Sequence, residues 1–269
     1  MSKPDYHVVS FSGGKDSTAM LLRMIELNMP IDCILFCDTG LEFPAMYKHV
    51  EKVERDIGRP ITRVKATEEF EYLLLDKIIT RKKNTALYGT SVTGYGWAGP
   101  KMRWCTEKLK TQPRDAFLRE LREKYNVLEY VGLAADEGYR MSRKINQQAN
   151  HRHPLMEWGW TEEDCLKYCY DHGYDWDGLY NHFKRASCWC CPLQSLSELR
   201  QLYRYYPDLW AKLKEWDKRT WRQFRADFSV EQLEVRFQLE EEFISAGKSV
   251  HTKPFFTELY RRIGRENKL

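Results

Sequence analysis

One six-residue stretch, Ser12-Gly13-Gly14-Lys15-Asp16-Ser17, constrains this chain more than any other part of it. It follows the β-prone run Tyr6-His7-Val8-Val9-Ser10-Phe11 and leads into the helix-like Thr18-Ala19-Met20-Leu21-Leu22. A strand that enters a helix through two glycines leaves unpaired backbone N–H groups at the helix mouth, where anions bind. The glycines let the backbone close around an anion without Cβ clashes, and the macrodipole adds about 0.3–1 kcal/mol for a nearby negative charge. Lys15 and the hydroxyls of Ser12 and Ser17 supply further donors. This pattern suits a phosphate, and an ordinary turn has no need of Lys-Asp-Ser. A Walker loop is excluded, since it requires glycine where Val9 stands and Ser or Thr where Asp16 stands. The stretch also lacks the Gly-x-Gly-x-x-Gly of a dinucleotide fingerprint.

The first half of the chain alternates strand and helix signals. A helix is expected to about Asn28, then a buried strand at Ile31–Cys37, a helix at about Pro44–Ile57 and a strand at Ile61–Val64. A helix at Pro113–Tyr125 and a strand at Val127–Gly132 follow. The pattern predicts an α/β fold, a Rossmann-like parallel sheet with helices on both faces. Ligands of such sheets sit beyond the carboxyl ends of the strands, which gathers Ser12–Ser17, Asp38–Gly40 and the segment after Gly132 at one edge. Residues 84–100 show no sustained period and read as a cover over the nucleotide or a surface excursion. From Leu196 to Leu269 the chain turns helical, basic and aromatic. The expected domains are residues 1–195, a nucleotide-binding domain with a Cys-rich metal site, and 196–269, a mainly helical extension. Trp and Leu at helical spacing there read as core. The Arg and Lys residues read as a solvated face or as a surface for tRNA or DNA.

Hydrophobic content of 42% and charged content of 30% fit a globular protein, and no apolar run reaches the length of a membrane span. No membrane partner is expected. No secretory signal is visible either, so the expected location is cytoplasmic. There, eight cysteines point to metal or redox chemistry rather than to structural disulfides.

Several segments besides Ser12–Ser17 resemble one family. Asp38-Thr39-Gly40-Leu41-Glu42-Phe43-Pro44 looks like its second-strand element. Gly132-Leu133-Ala134-Ala135-Asp136-Glu137 with Arg140 looks like its Gly-x-x-x-Asp-Glu-x-x-Arg element. Pro154-Leu155-Met156-Glu157-Trp158 with Thr161 and Asp164 resembles the stretch after its last strand. In this order they are similar to the phosphoadenosine phosphosulfate (PAPS) reductase family, PP-loop proteins of the adenine nucleotide α-hydrolase fold. The resemblance implies that Ser12, Gly13, Gly14, Lys15, Asp16 and Ser17 hold phosphate or sulfate oxygens of ATP, adenosine phosphosulfate (APS) or PAPS. It implies that Asp38, Thr39 and Gly132 lie near the nucleotide, and that Asp136, Glu137 and Arg140 flank the reacting group beside catalytic Lys15 and Asp16. Arg140 suits a phosphate and Asp136 or Glu137 suits Mg²⁺, while the null role for that acidic pair is a helix N-cap.

Cys105, Cys188, Cys190 and Cys191 sit where iron–sulfur members of the family carry ligands. The resemblance implies a [4Fe–4S] cluster. The spacing of Cys188 and Cys191 suits zinc equally, and Cys190 reads as a fourth ligand or a thiol beside the centre. Cys165 and Cys169, four apart on a helix, read as packing. The reductases carry a nucleophilic cysteine in a Glu-Cys-Gly-x-His tail, whereas residues 192–269 hold no cysteine. A reductase would therefore recruit Cys190 or another exposed thiol. Three functions are expected of such a chain. The first is adenylation of an acceptor by ATP, with pyrophosphate release, feeding sulfur transfer from a sulfur donor protein. The second is sulfonucleotide reduction with a thiol reductant protein. The third is a nucleotide-dependent nucleic-acid-binding module.

Overall fold

In a computed structural model, which describes residues 3–142 and 147–264, the elements follow the expected alternation. They begin β1 (Asp5–Ser10), α1 (Lys15–Glu26), β2 (Cys33–Asp38), α2 (Pro44–Ile57), β3 (Ile61–Lys65) and α3 (Phe70–Leu75). A short α4 (Trp104–Thr106) runs through one π-helical turn, Glu107–Thr111, into α5 (Gln112–Lys124), followed by β4 (Asn126–Val131). Then come β5 (His151–Arg152), α6 (Pro154–Glu157), α7 (Glu162–Asp171) and α8 (Leu179–His182). The chain continues with α9 (Leu196–Tyr205), α10 (Pro207–Arg219), α11 (Val230–Ser245) and α12 (Lys253–Arg262).

Two compact units divide the chain: residues 1–67 with 105–188, and residues 68–104 with 189–269. In the first, five parallel strands lie in the order β3-β2-β1-β4-β5. The order reverses beside β1, so the crevice between the carboxyl ends of β1 and β4 is the switch point where ligands of open α/β sheets bind. Ser10 pairs with Val131 there, which sets the loop after β1 beside the one after β4. Successive residues Val8 and Val9 point to opposite faces and are both fully buried, so both faces are covered. On one face Val8, Cys33, Leu35 and Val127 pack with Leu118 of α5. Each such side chain contributes about 1.5–3 kcal/mol by burial.

The second unit is organised by aromatic rings. Phe70 stacks on Trp104 with centroids 5.4 Å apart, Trp189 stacks on Trp216 at 5.3 Å, and Phe224 meets Trp97 edge-on at 4.9 Å. Asp217 ties the cluster to its backbone, accepting from Trp97 Nε1 at 3.0 Å and from the amides of Phe224 and Val230 at 2.7 and 2.8 Å. Four helices, α9–α12, form the rest, and Trp210 and Trp216 are buried as their helical spacing predicts. Residues 94–99 do have the spacing Gly-x-Gly-x-x-Gly, but no strand leads into them and no helix opens from them, so they are not a dinucleotide loop.

Four cations of the basic helices pair with acids. Arg200 pairs with Glu240 at 2.6 Å, Arg204 with Glu241 at 2.9 Å, Lys214 with Glu234 at 2.6 Å and Arg262 with Glu242 at 2.7 Å. Their cations are neutralised by acids of the same helical cluster.

Candidate functional site

The loop after β1 is held open by its neighbours. Gly13 has φ of +76°, and a Cβ there would lie 2.6 Å from Met46 Sδ and 3.0 Å from Val50 Cγ2. Gly14, in extended conformation, is the N-cap of α1. Ser17 Oγ accepts from the Ser12 amide at 3.1 Å and donates to the Gly14 carbonyl at 3.0 Å, closing the loop on itself. The amides of Gly13, Asp16 and Ser17 have no acceptor among the described residues. They are the donors that the Gly-Gly entry into a helix predicts.

Residues distant in sequence clamp this loop. Trp176 Nε1 donates to the Gly13 carbonyl at 2.8 Å, Tyr180 Oη accepts from the Lys15 amide at 2.9 Å, and Cys169 Sγ donates to the Lys15 carbonyl at 3.4 Å. Cys165 and Cys169 are fully buried, in keeping with packing. Trp176 holds φ of +52°, an unfavourable conformation for a bulky residue, and its bond to the loop helps to hold it there. His49 stacks on Trp176 at 4.2 Å and shares a 2.9 Å hydrogen bond with Thr18 Oγ1.

Burial, reinforced by Lys52, pushes the His49 pKa down to about 3. A neutral imidazole is thus built into the fold. Below the ordinary histidine pKa of about 6.5 the unfolded chain binds a proton that the folded one refuses. The contribution of His49 is full above that pH and is lost, at up to about 1.4 kcal/mol per pH unit, as pH falls beneath it. Urea midpoints of the wild type are expected to drop between pH 7 and pH 5 by more than those of His49→Gln. Parallel curves for the two proteins would exclude this role.

A charged network faces the loop. Lys15 is only 5% exposed, and its Nζ lies 2.8 Å from Glu162 and 3.5 Å from Asp16. Arg185 bridges Glu137 at 2.5 Å and Glu162 at 2.8 Å, and Arg140 pairs with Glu137 at 2.6 Å. The two guanidiniums occupy both Glu137 oxygens, and Asp136 Oδ1 accepts from the amide of Glu162, the first residue of α7. The expected Mg²⁺ carboxylates are therefore committed to an internal network, and this pair does not fit a metal. Asp16 differs. Burial, outweighing the opposing Lys15 and aided by Glu162 and Glu137, raises its pKa to about 6. Its buried Oδ1 makes no hydrogen bond among the described residues.

A cavity of about 240 Å³ opens at the same strand edge, lined by Ser12, Cys37, Glu42, Arg114, Glu129 and His151 among others. Glu129 is fully buried. Burial alone would raise its pKa, but His151 and Arg114 hold it below the usual range. Its oxygens accept from Arg114 at 2.7 Å and Arg122 at 2.8 Å. His151 is 8% exposed, and neither ring nitrogen has a hydrogen-bond partner among the described residues. At the end of β2, Asp38 Oδ1 accepts from the Gly40 amide and from Tyr47 Oη, both at 2.9 Å, while Thr39 Oγ1 donates to Glu42 at 3.0 Å. These two residues shape the turn that borders the cavity. Gly132 approaches the loop so closely that a Cβ would stand 3.0 Å from Ser17 N.

Residues 6–194 match the phosphoadenosine phosphosulfate reductase domain. The chain belongs to that family. Family membership supports an adenine-nucleotide-using enzyme of the PP-loop class. An uncharacterized protein of Methanocaldococcus jannaschii is 31% identical over 215 residues, covering 76% of this chain and 40% of the relative. A second from that archaeon is 26% identical, with 76% of this chain and 45% of the relative covered. The chain thus spans less than half the length of these two relatives. A protein of Escherichia phage 186 is 26% identical over 250 residues, with 79% and 74% covered. The PAPS reductase from Candida auris in its phosphate complex aligns over 66% of this chain and 76% of that one, at 17% identity and a TM-score of 0.40.

Among the described residues no group of three or more His, Cys, Asp or Glu is placed to hold a metal ion. Cys190 is 2% exposed beside Trp189, whose ring stacks on Trp216, so aromatic packing organises this segment. No helix among the described residues is long and apolar enough to cross a membrane. Sequence reasoning missed Glu162, Tyr180 and Arg185, although the Thr161–Asp164 capping box marks the helix that begins at Glu162.

Proposed function

We propose that this protein binds ATP across the loop and cavity and transfers its adenylyl group to an acceptor oxygen. The amides of Gly13, Asp16 and Ser17, which face no acceptor beside a cavity at the switch point, carry this reading. They take the phosphate oxygens, Ser12 and Ser17 add hydroxyls, and the base lies toward the turn at Asp38 and Thr39. The acceptor oxygen attacks the α-phosphorus as the bond to pyrophosphate breaks, and Asp16 takes the acceptor's proton. The adenylated carbon is then open to sulfur from a donor protein. Catalysis rests on positioning and charge neutralisation around Lys15, Arg140 and Arg185.

A base must be ionised to act, so pyrophosphate release is expected to rise with pH through about 6, the Asp16 value. Asp16→Asn should be at least about 100-fold slower and flat with pH. The assay is pyrophosphate and AMP release, screened against RNA, DNA and small-molecule acceptors. A wild-type pH profile retained by Asp16→Asn would overturn the assignment.

One observation favours a second reading, sulfonucleotide reduction: Cys37 lines the same cavity, near Arg114. Its thiolate would attack the sulfonyl sulfur, the sulfur–oxygen bond to the nucleotide would break, and a thiol reductant protein would release sulfite. Burial pushes the Cys37 thiol up, and Lys110 and Arg114 oppose this. Sulfite from APS or PAPS, without ATP turnover, would decide for it.

A further inference from the structure

The charges that the C-terminal helices neutralise among themselves stand against a second set that has no such partners. Residues 77–104 contain Lys77, Arg81, Lys82, Lys83, Lys101 and Arg103 and no Asp or Glu. Lys77 pairs with Glu68. The other five make no ion pair with any described residue, nor does Arg222, which lies in the same compact unit. Packing fixes Arg81 and Arg222 against this segment. The Arg81 guanidinium lies 5.6 Å from the centre of the Trp221 ring, and both side chains donate to the Gly94 carbonyl, at 2.7 and 3.2 Å. Arg222 reaches across the segment so that a Cβ on Gly99 would touch its guanidinium at 2.8 Å, and its Nη1 lies 4.0 Å from Met102 Sδ, between Lys101 and Arg103 in sequence. Arg222 also lines a cleft of about 670 Å³ with Gly99, Pro100, Leu193, Arg225 and Asp227 among others, where Arg225 and Asp227 pair with each other. Of the exposed aromatic rings in this unit, Trp221 at 40% exposure lies against Arg81, and Tyr88 at 50% lies in the acid-free segment itself.

We propose that this cleft and the 81–103 segment bind a single strand of nucleic acid, with phosphates on Lys82, Lys83, Lys101, Arg103 and Arg222 and a base stacked on Trp221. Unpaired cations beside exposed rings are the requirement of such a surface, since phosphates supply the salt-sensitive affinity and ring faces accept any base. Cations without acids favour a polyanion over a protein or lipid partner, and the exposed Tyr88 and Trp221 rings suit its bases. The inference goes beyond the nucleotide chemistry and does not depend on it.

The test uses the full chain and a fluorescent single strand of mixed sequence, as RNA and as DNA, followed by anisotropy over a salt series. The wild type is expected to bind both, with a linear fall of log affinity against log salt. The Lys82→Ala/Lys83→Ala/Lys101→Ala variant should bind at least tenfold more weakly at low salt. Its slope should be shallower by about 2, from about 0.7 for each lost phosphate contact. Trp221→Ala should weaken binding without changing the slope, which separates stacking from charge. The arginine triple variant at the same three positions should restore binding. Arg204→Ala/Arg262→Ala, which removes cations already paired with acids, serves as the control and should stay within about twofold of the wild type. Thermal melts of each variant verify folding. Absence of binding at low salt, an unchanged slope in the alanine triple variant, or an equal loss in the control pair would overturn the proposal. So would a duplex of the same sequence that binds better than either strand.

Discussion

Lys15→Ala is expected to lower pyrophosphate release by at least about 100-fold and to cost several degrees of thermal stability, through one cause. Lys15 is buried, and its ammonium lies 3.5 Å from Asp16 and 2.8 Å from Glu162, which Arg185 approaches equally closely. Removing one member of a buried ion pair costs about 3–5 kcal/mol, and the partial exposure of Glu162 sets this site at the lower end. For a chain of this size about 3 kcal/mol corresponds to a fall in Tm of roughly 6–12 °C. The chemical consequence is separate. Burial already lifts Asp16 to about 6 while Lys15 opposes the rise. Without the ammonium, Asp16 keeps its proton at neutral pH and cannot accept one. Lys15→Ala/Glu162→Gln also removes the carboxylate that Lys15→Ala leaves with Arg185, so it should recover part of the Tm and none of the turnover. A double variant that regains both would reduce Lys15 to a structural ion pair, and a single variant with wild-type turnover would remove it from the site.

That pairing also marks the limit of what the residues reveal when read in order. Ser12–Ser17 is legible because a strand, two glycines and a helix are adjacent in the chain and their geometry is local. The sheet is legible for the same reason, from apolar runs separated by amphipathic ones, whereas β5 has only His151 and Arg152 and no alternation to detect. Glu162, Tyr180 and Arg185 reach the loop region from well over 100 residues away, and no periodicity encodes such a meeting. Charge is misread for a related reason. Arg204 and Glu241 lie 37 positions apart and cancel in space, while residues 81–103 contain no acid and form no ion pair with a described residue. A Cys-x-x-Cys spacing is visible at once. Whether its thiols converge with Cys105 depends on how the segment around Trp189 packs.

Gly132→Val is expected to weaken ATP binding by about 100-fold, with Gly132→Ala between it and the wild type. The constraint arises from the sheet order. Ser10 and Val131 are paired neighbours at the switch point, so the chain leaving β4 crosses directly over the first turn of α1. A Cβ on Gly132 would stand 3.0 Å from Ser17 Cα and Ser17 N and 3.2 Å from the Asp16 carbonyl carbon. These are backbone atoms, which cannot swing aside as the end of a long side chain does. Alanine requires a shift of a few tenths of an ångström, and valine adds two methyl groups to the same crowded space. The displaced atoms belong to the Asp16–Ser17 peptide, whose N–H is one of the three amides that face no acceptor, so the shift falls on a phosphate donor itself. Misplacement on the ångström scale costs about 10²-fold where binding depends on convergent donors. Gly138 provides the matched control, because a Cβ there meets nothing within 4 Å and its φ is not positive. Gly138→Ala should bind ATP as the wild type does. Equal affinity of Gly132→Val and the wild type, measured by equilibrium dialysis, would mean that the Ser17 amide does not hold the nucleotide.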